Sequence, residues 1–362
     1  MAILENAGIS IGGSEPWSLH VHNDRLWERI LSQQQLGFAE AYIEGWWDCE
    51  SLDTMLSRLL SSDLTAVLKV GPSLAFHILK SNILNFQTRG KSAKNAKFHY
   101  NIGNNLYQKM LDAEMVYSCG YWSKAQTLDQ AQLDKFELIA RKLHLEPGMR
   151  VLDIGCGWGG FLRFASENFG VTGVGISPAE NQILIANQRK GNLPLTYLQQ
   201  DYRDAQGEFD RIVSIGMMEH VGPKNYKTFF EKCESLLHAD GMMLHHTIAS
   251  NLSKKFTDQF FDKYIFPGGV LPSLAQIAGS VEKKFIIEDV HNFGPDYDKT
   301  LLQWHSRING SWQDLPEYDE RFKRIWNYYL CSSAAGFRVR KIQLLQVVFR
   351  TFTSRGTYIT SR

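Results

Sequence analysis

The sequence has no long uncharged apolar run, no marked excess of charge of either sign and few cysteines. The nearest approach to the roughly 20 apolar residues of a membrane-spanning helix is Val70 to Leu79, which is short and lies between Lys69 and Lys80. A formal net charge of +1 removes the electrostatic argument for a nucleic-acid partner, which needs an excess of lysine and arginine. We expect a protein that meets any membrane from outside and does not bind nucleic acid.

The five cysteines are an odd number with wide, irregular spacing, which argues against a disulfide framework and against a zinc site. The first residues include Glu5 and lack an apolar core of signal-peptide length. These features predict a protein of the reducing cytoplasm without a bound metal. At 362 residues, the chain exceeds the usual size of one compact domain, so a catalytic core with a smaller second unit is expected.

The hydrophobic pattern changes near residue 90. From Trp27 to Phe86 apolar residues recur every three or four positions between glycine and proline breakers, which predicts several short helices. The segment Leu64 to Phe86 is apolar around most of its circumference, and a buried core helix is favoured over a membrane-contacting one. Residues 1–90 are therefore interpreted as a helical N-terminal domain and residues 91–362 as the larger domain.

After residue 90, strands and helices alternate in the pattern of a parallel sheet covered by helices on both faces. Residues 249–284 interrupt that order and are interpreted as an insertion or lid over the site. The pattern predicts a Rossmann-like α/β domain with a seven-stranded sheet. The predicted strands are Met149–Ile154, Val171–Ile176, Leu195–Gln199, Arg211–Ile215, Met242–Ile248, Phe285–Val290 and Leu344–Phe349.

A glycine-rich loop follows the first of these strands. It reads VLDIGCGWGG from Val151 to Gly160 and opens a helix, so its glycines let the backbone approach a ligand at the end of the sheet. The acidic ribose partner that a dinucleotide fold carries about 20 residues later is missing from the second strand. The Asp-x-Gly-x-Gly form suits S-adenosylmethionine instead. The candidate residues at these two strand ends are Asp153, Gly155, Gly157, Gly159, Ile176 and Ser177.

A polar turn, Gln200 to Asp204, follows the third strand at the place where an adenine would lie. Asp201 could accept a hydrogen bond from the exocyclic amine, and Tyr202 belongs to the same turn. Taken alone the turn is an ordinary polar loop. Because the glycine loop lies at the same end of the sheet, the two together predict an adenine site.

Further motifs join the glycine loop in a pattern that runs nearly end to end. They are His20-Val21-His22-Asn23, Gly45-Trp46-Trp47-Asp48, Tyr117 to Trp122, Gly216 to Lys224, His246-Thr247-Ile248, Phe293 to Asp298 and Phe337-Arg338-Val339-Arg340. Together they resemble the cyclopropane-fatty-acyl-phospholipid synthases. The resemblance implies addition of the methyl carbon of S-adenosylmethionine across a cis double bond of a phospholipid acyl chain. An alkene is a weak nucleophile, so such a reaction needs a dry, apolar cleft that protects a carbocation from water.

The resemblance also implies that a bound bicarbonate acts as the base. Its expected ligands are Cys119, Glu219, His246, Ile248 through its backbone, and Tyr297. Each residue also has an ordinary structural interpretation: a buried cysteine, a hydrogen-bonded Glu and His pair, and a loop aromatic. Only the joint pattern makes these five a site.

At the methionine end of the cofactor the resemblance implies Tyr117 and Ser118. One departure concerns the ribose. Relatives often carry Gln three residues after Ser177, whereas this chain has Glu180, followed by Asn181 and Gln182. Which of these side chains meets the ribose is left open.

The resemblance further implies a peripheral enzyme on the inner, cytoplasmic face of the membrane, a homodimer, and an N-terminal domain that gives access to lipid. Two basic clusters, at residues 321–324 and 338–341, offer contacts for anionic headgroups, although a solvated helix face explains them equally simply. Two other enzymatic functions stay open: a related lipid C-methyltransferase and a small-amine N-methyltransferase. A lipid-binding protein without turnover is disfavoured because the glycine loop and the base-site residues are intact.

Overall fold

The computed structural model describes residues 2–62 and 103–362, and elements are numbered here in chain order within those two ranges. The helix predicted from Leu64 to Phe86 and the domain boundary predicted near residue 90 lie outside them. The first range is mainly helical, as its periodicity predicts, with one two-stranded ladder that the pattern did not predict. Its elements are α1 (Ala2–Asn6), β1 (His20–Val21), α2 (Leu26–Ile43), β2 (Trp47–Asp48) and α3 (Leu52–Ser61).

Residues 103–362 alternate between strands and helices. The helices are α4 (Asn104–Met110), α5 (Leu128–Lys142), α6 (Gly160–Phe169), α7 (Glu180–Arg189), α8 (Met218–Val221), α9 (Tyr226–Leu236), α10 (Gln259–Tyr264), α11 (Leu274–Val281), α12 (Pro295–Asn309) and α13 (Glu320–Arg338). The strands are β3 (Arg150–Ile154), β4 (Thr172–Ser177), β5 (Leu195–Gln199), β6 (Phe209–Ile215), β7 (Leu237–Ser250), β8 (Phe285–Asn292) and β9 (Ile342–Thr351). Each predicted strand is confirmed, with shifts only at its ends.

The large sheet has the strand order β5-β4-β3-β6-β7-β9-β8. Strands β3 to β7 are parallel, and β9 lies antiparallel between β7 and β8. The carboxyl ends of the parallel strands therefore meet at one edge, where an open α/β sheet forms its ligand crevice. The glycine loop after β3, the polar turn after β5 and helix α8 after β6 all begin at this edge.

Helix α5 runs beside that edge. Thr127 caps its start by accepting a hydrogen bond from the Gln130 amide, and an apolar stripe that includes Phe136 and Ile139 faces the core. The same face buries two lysines, Lys135 and Lys142, whose side chains are wholly inaccessible to solvent. Lysine is almost never fully buried without a partner, so each requires one. Lys142 has Asp289 of β8 at 3.0 Å.

The N-terminal elements share one hydrophobic core with α12 and α13. Trp47 is fully buried, stacks on Phe38 with ring centroids 4.3 Å apart and donates to the Phe38 carbonyl. Two arginines of α13 also join the units. Arg338 pairs with Asp53 of α3 and Asp298 of α12 at 2.8 and 2.9 Å.

Arg324 pairs with Asp48 at 2.7 Å and donates to the Tyr42 and Trp47 carbonyls. These arginines of the two basic clusters thus face the N-terminal unit, because its buried carbonyls and carboxylates need donors. These two arginines thus have partners within the protein, and contact of the two clusters with anionic headgroups stays a prediction.

The insertion at residues 249–284 contains α10 and α11 and is attached to α2. Glu40 of α2 accepts hydrogen bonds from Lys263 at 2.5 Å and from Tyr264 at 2.9 Å, and Arg29 lies 2.9 Å from the same carboxylate. The charge of Arg29 and Lys263 compensates that of the buried Glu40. The insertion and the N-terminal unit are therefore positioned together.

A search of residues 2–62 and 103–362 finds no helix with the length and apolarity to cross a membrane.

The packing of Trp47 gives the first prediction. Trp47→Ala should lower the free energy of unfolding by about 3–5 kcal/mol, since it removes a fully buried indole and leaves a cavity. Trp46→Ala is the matched control, because the neighbouring indole lies under the guanidinium groups of Arg25 and Arg29 at the surface and should lose about 1 kcal/mol. Urea unfolding followed by circular dichroism measures both. Equal losses would contradict the burial of Trp47.

Candidate active site

A first cavity of about 170 Å³ lies at the carboxyl edge of β3, β4 and β5. Of the ten residues proposed from the sequence for the cofactor, nine line it: Tyr117, Ser118, Asp153, Gly155, Gly157, Ile176, Ser177, Asp201 and Tyr202. The fold thus brings residues from four separate segments to one cavity. Pro267 and Gly268 of the insertion also line it, so the insertion covers this cavity.

The glycines of the loop have two different tasks. Gly155 and Gly157 have φ values of +85° and +54°, which favour glycine, and a Cβ on Gly157 would meet no atom within 4 Å. That open space lies on the cavity side, where a ligand could approach. Gly159 is absent from the lining. A Cβ there would lie 2.7 Å from the Tyr197 ring, whose hydroxyl donates to the Gly159 carbonyl, so Gly159 packs the loop against β5.

Polar atoms without a partner among the described residues face the same cavity. One is Asp153 Oδ1 and another is the Tyr202 hydroxyl. Burial raises the pKa of Asp153 to about 7 and that of Tyr202 to about 12. Buried groups of this kind normally have a hydrogen-bond partner, so a polar ligand such as the nucleoside and amino-acid ends of S-adenosylmethionine fits the cavity.

The turn after β5 and the start of α7 also contribute side chains. Asp201 accepts from the Arg203 amide at 2.9 Å and from its guanidinium at 2.8 Å, so its carboxylate is fixed in the cavity wall. The three side chains left open for the ribose differ in position. Gln182 is buried in the lining and accepts from the Ser177 hydroxyl at 3.0 Å, whereas Glu180 and Asn181 are exposed.

A second, larger cavity of about 400 Å³ adjoins the first. Four residues line both: Tyr117, Ser118, Gly216 and His220. Most of its remaining wall is apolar and comes from the insertion, α12, α13 and β9, including Phe256, Phe261, Phe266, Leu271, Leu301, Phe337, Ile342 and Leu344. Residues 33–36 of α2 complete the wall, next to a kink at Gln34 where φ is 52°.

Glu219 provides a carboxyl group in the lining of the second cavity. It lies in α8, directly after β6, and its Oε1 accepts from the Ile248 amide of β7 at 2.6 Å. Its Oε2 has no partner among the described residues. Burial raises the pKa of Glu219 to about 7, against the hydrogen bonds from backbone amides that lower it. The group can therefore change its charge near neutral pH.

His246 of β7 lies beside it in the lining of the second cavity. Its Nδ1 is 3.3 Å from the buried Gln346 amide nitrogen, and its Nε2 has no partner among the described residues. Burial, and secondarily the charge of Lys135, lowers the pKa of His246 well below its usual value. The ring is therefore neutral. His245 points to the opposite face of the sheet and packs against Phe229 and Phe230, as the alternation of a strand predicts.

Tyr297 and Cys119 complete the set of five candidates. Tyr297, in the first turn of α12, lines the second cavity, and its ring packs on Phe337 with centroids 4.5 Å apart. Cys119 is fully buried but is not in the lining: its Sγ lies 3.1 Å from the Gly120 carbonyl and 3.9 Å from the Thr300 hydroxyl. Burial raises the pKa of this thiol well above its usual value, so the sulfur is neutral and faces away.

Three polar residues of this region escaped the sequence analysis. They are Lys135 behind Ser118, Gln346 beside His246, and His220 in the lining of both cavities. For Lys135 a signal existed, because a lysine on the apolar stripe of a helix is unusual and implies a buried partner. For Gln346 the signal is similar, because a polar side chain at a core-facing position of the buried strand β9 is unusual and implies a buried partner.

Comparison with known proteins agrees with this geometry. The family model described as mycolic acid cyclopropane synthetase matches residues 87–347. The chain is 44% identical over 355 residues to the cyclopropane-fatty-acyl-phospholipid synthase of Escherichia coli, which covers 98% of this chain and 93% of that protein. It is 34% identical over 273 residues to cyclopropane mycolic acid synthase 1 of Mycobacterium tuberculosis, covering 70% of this chain and 95% of that one.

Solved structures give the same result. Mycolic acid cyclopropane synthase CmaA1, in complex with SAH and CTAB, is 33% identical with a TM-score of 0.67 and covers 71% of this chain and 98% of its own. Coclaurine N-methyltransferase, at 17% identity and a TM-score of 0.70 over 87% of this chain and 99% of its own, shares the fold. The chain belongs to the cyclopropane-fatty-acyl-phospholipid synthase family of S-adenosylmethionine-dependent methyltransferases.

Proposed function

We propose that this enzyme converts cis double bonds in the acyl chains of unsaturated membrane phospholipids into cyclopropane rings, with bicarbonate as the base. The observation that carries the proposal is the second cavity, which is apolar along most of its wall and polar where it meets the cofactor cavity. Such a cavity suits an acyl chain whose reacting carbons lie beside the donor. The identity with the Escherichia coli synthase supports the same substrate class.

In this proposal the first cavity holds S-adenosylmethionine, which supplies an electrophilic methyl carbon when bound. Tyr117 and Ser118 bind its amino-acid end. Asp153 and the glycine loop contact it where it approaches the sheet, and Asp201 and Tyr202 bind its adenine. Ile176, Ser177 and Gln182 border the ribose. Gly159 supports the loop from behind, since it packs on Tyr197.

The base site is proposed at the unpartnered Glu219 Oε2 and His246 Nε2. A small anion that carries one proton fits these atoms, because a neutral imidazole can donate to it and a carboxylate can accept its hydroxyl. Bicarbonate bound there would supply a proton acceptor. The Tyr297 hydroxyl and the main-chain amide of Cys119 are further donors in this proposal, so the Cys119 thiol itself is not needed. The Ile248 amide donates to Glu219 Oε1, so in this arrangement it acts on the anion through that carboxylate.

The walls of the second cavity protect a cationic reaction centre. Aromatic side chains such as Phe266, Tyr297 and Phe337 present π faces and edges and no competing nucleophile. Exclusion of water prevents capture of a carbocation as an alcohol.

We further propose residues 1–90 as a lipid-access domain, residues 91–362 as the catalytic domain and residues 249–284 as its lid. The support is that α2 contributes residues 33–36 to the second cavity and is bonded to the insertion through Glu40. Extraction of an acyl chain into water would cost about 0.8 kcal/mol per CH₂, which favours an enzyme docked at the inner face of the membrane. The homodimer stays a prediction from the family resemblance.

The first functional prediction concerns the product. Vesicles with cis-unsaturated phospholipids, incubated with the protein and S-adenosylmethionine, should gain about 14 Da per modified chain, the mass of one CH₂, and the product should resist mild hydrogenation because the alkene is gone. Mass spectrometry of the extracted lipids measures this. Vesicles of fully saturated lipid are the control.

If the lipid gains this mass but its acyl chain still takes up hydrogen, a double bond is still present. Lipid C-methylation would then replace this proposal. No gain on any lipid, with methyl transfer to a small amine, would replace it by the N-methyltransferase alternative.

The second functional prediction uses the buried carboxyl of Glu219. Its folded pKa of about 7 exceeds its unfolded value of about 4.3, so its contribution to stability is complete below the unfolded pKa and is lost as pH rises toward 7. Glu219→Gln has no carboxyl group to ionise, so its free energy of unfolding relative to wild type should rise between those two pH values, by up to about 1.4 kcal/mol per pH unit. Above them the difference between the two proteins should stay constant. Urea unfolding in carbonate-free buffer at several pH values measures it.

The same variant should lower turnover about 10²- to 10⁴-fold while S-adenosylhomocysteine binding stays near that of wild type. Glu208→Gln, at an exposed carboxylate, is the control for both measurements. Loss of S-adenosylhomocysteine binding in Glu219→Gln would move Glu219 out of the base site.

The third functional prediction compares adjacent histidines. Removal of bicarbonate should slow turnover, and His246→Leu should raise the bicarbonate concentration for half-maximal turnover about 10- to 100-fold, since it removes a donor to a charged group. His245→Leu, on the opposite face of the strand, should leave that concentration unchanged. Assays in carbonate-free buffer with added bicarbonate measure both. An equal effect of the two variants would contradict the proposed site.

A further inference from the structure

Lys135 is a fully buried cation directly behind the segment that lines both cavities. Its Nζ donates to the Ser118 hydroxyl oxygen at 2.8 Å. An ammonium group has protons to give and no lone pair, so the Ser118 oxygen must be the acceptor in this bond. The hydroxyl's own proton is left to point elsewhere, and Ser118 lines the two cavities.

Two buried carboxyl groups flank the ammonium. Asp153 lies at the end of β3, and Asp112 lies in the turn after α4, where it accepts from the amides of Glu114 and Val116. Burial raises the pKa of Asp153 to about 7 and of Asp112 to about 6, and in both cases the charge of Lys135 opposes the rise. Burial lowers the pKa of Lys135 to about 7, opposed by the two carboxylates. Lys135 thus compensates charge on both sides of the cofactor cavity.

The rest of α5 holds the same segment in place. Gln132 donates to the Ser118 carbonyl at 2.8 Å. Gly120 fits tightly on the helix, where a Cβ would lie 2.8 Å from the Ala131 methyl group. The backbone of residues 118–120 is therefore fixed by neighbours of Lys135, and what Lys135 adds is control of the Ser118 hydroxyl.

We propose that Lys135 is a positioning residue that presents the Ser118 hydroxyl as a hydrogen-bond donor to the carboxylate at the amino-acid end of S-adenosylmethionine. The inference rests on the proposed function, which puts that end of the cofactor at Tyr117 and Ser118. No other described lysine contacts this segment. Lys142, which lies further along α5, pairs with Asp289 instead.

The test compares two ligands that differ at the amino-acid end. Isothermal titration calorimetry should show that Lys135→Met binds S-adenosylhomocysteine about 10- to 100-fold more weakly than wild type, as expected for a lost donor to a charged group. It should bind 5′-methylthioadenosine, which lacks the amino-acid end, within about twofold of wild type. Lys142→Met, which also removes a buried lysine from α5, should leave both affinities within about twofold.

A double-mutant cycle tests the route through Ser118. If Lys135 acts on the cofactor through that hydroxyl, Lys135→Met/Ser118→Ala should bind S-adenosylhomocysteine no more weakly than Ser118→Ala alone. Additive losses, or an equal loss for 5′-methylthioadenosine, would overturn the inference and make Lys135 a packing residue. Thermal unfolding checks each variant, and Lys135→Leu, which also has no donor, replaces the methionine variant if that one does not fold.

The outcomes separate the inference from the proposed function. Failure of the wild-type protein to bind S-adenosylhomocysteine would defeat the proposed cofactor site and with it the inference. Normal wild-type binding with additive losses would defeat only the role of Lys135.

Discussion

Exclusion of water from the carboxyl edge of the sheet is the constraint on which the rest of the site depends. Burial there shifts three central groups toward their neutral forms: the pKa of Glu219 and of Asp153 rises to about 7, and that of His246 falls well below its usual value. In water these groups would be charged carboxylates and a half-protonated imidazole. The same exclusion that suits an apolar acyl chain thus prepares a neutral donor at His246 and a carboxyl group at Glu219 that can gain or lose a proton.

That exclusion requires elements from distant parts of the chain. The sheet supplies only the floor, and the insertion, α12, α13 and α2 supply the walls. Glu40 bonds α2 to the insertion, and Arg338 bonds α3 to α12. Loss of one such bond would both loosen a domain contact and admit water to the cavity, so the stability of the N-terminal packing and the polarity of the site are linked.

Much of the catalytic domain was predictable because its signals are local. A buried parallel strand is a short apolar run, and seven such runs gave seven strands with errors only at their ends. The glycine loop was found because it follows a strand, where an open sheet places its functional groups, and Glu219 was found through the family resemblance. The orientation of side chains was less accessible. Cys119 is in the expected segment, but its sulfur faces Thr300, and Gly159 is in the loop but packs against Tyr197.

The remaining features depend on contacts between segments far apart in sequence. The ladder of β1 and β2 is two residues long, too short for any periodicity, and exists because Trp47 is buried against α2. The basic residues of α13 resemble a solvated face until Asp48, Asp53 and Asp298 approach them from other elements. Periodicity identifies the face of a helix but not what covers it.

The charge of Lys135 must be considered together with those of the neighbouring Asp112 and Asp153. Burial lowers the pKa of Lys135 and raises those of Asp112 and Asp153, while the charges of the lysine and the two carboxylates oppose these shifts, so the titrations of the three groups are linked. A zwitterionic ligand that brings a carboxylate to Ser118 and an ammonium to the glycine loop would stabilise a charged Lys135 and a charged Asp153 at once. The protonation state of this cluster therefore depends on whether the cavity holds its ligand. With the ligand bound, each charge in the cluster is compensated by the others and by the charges of the ligand.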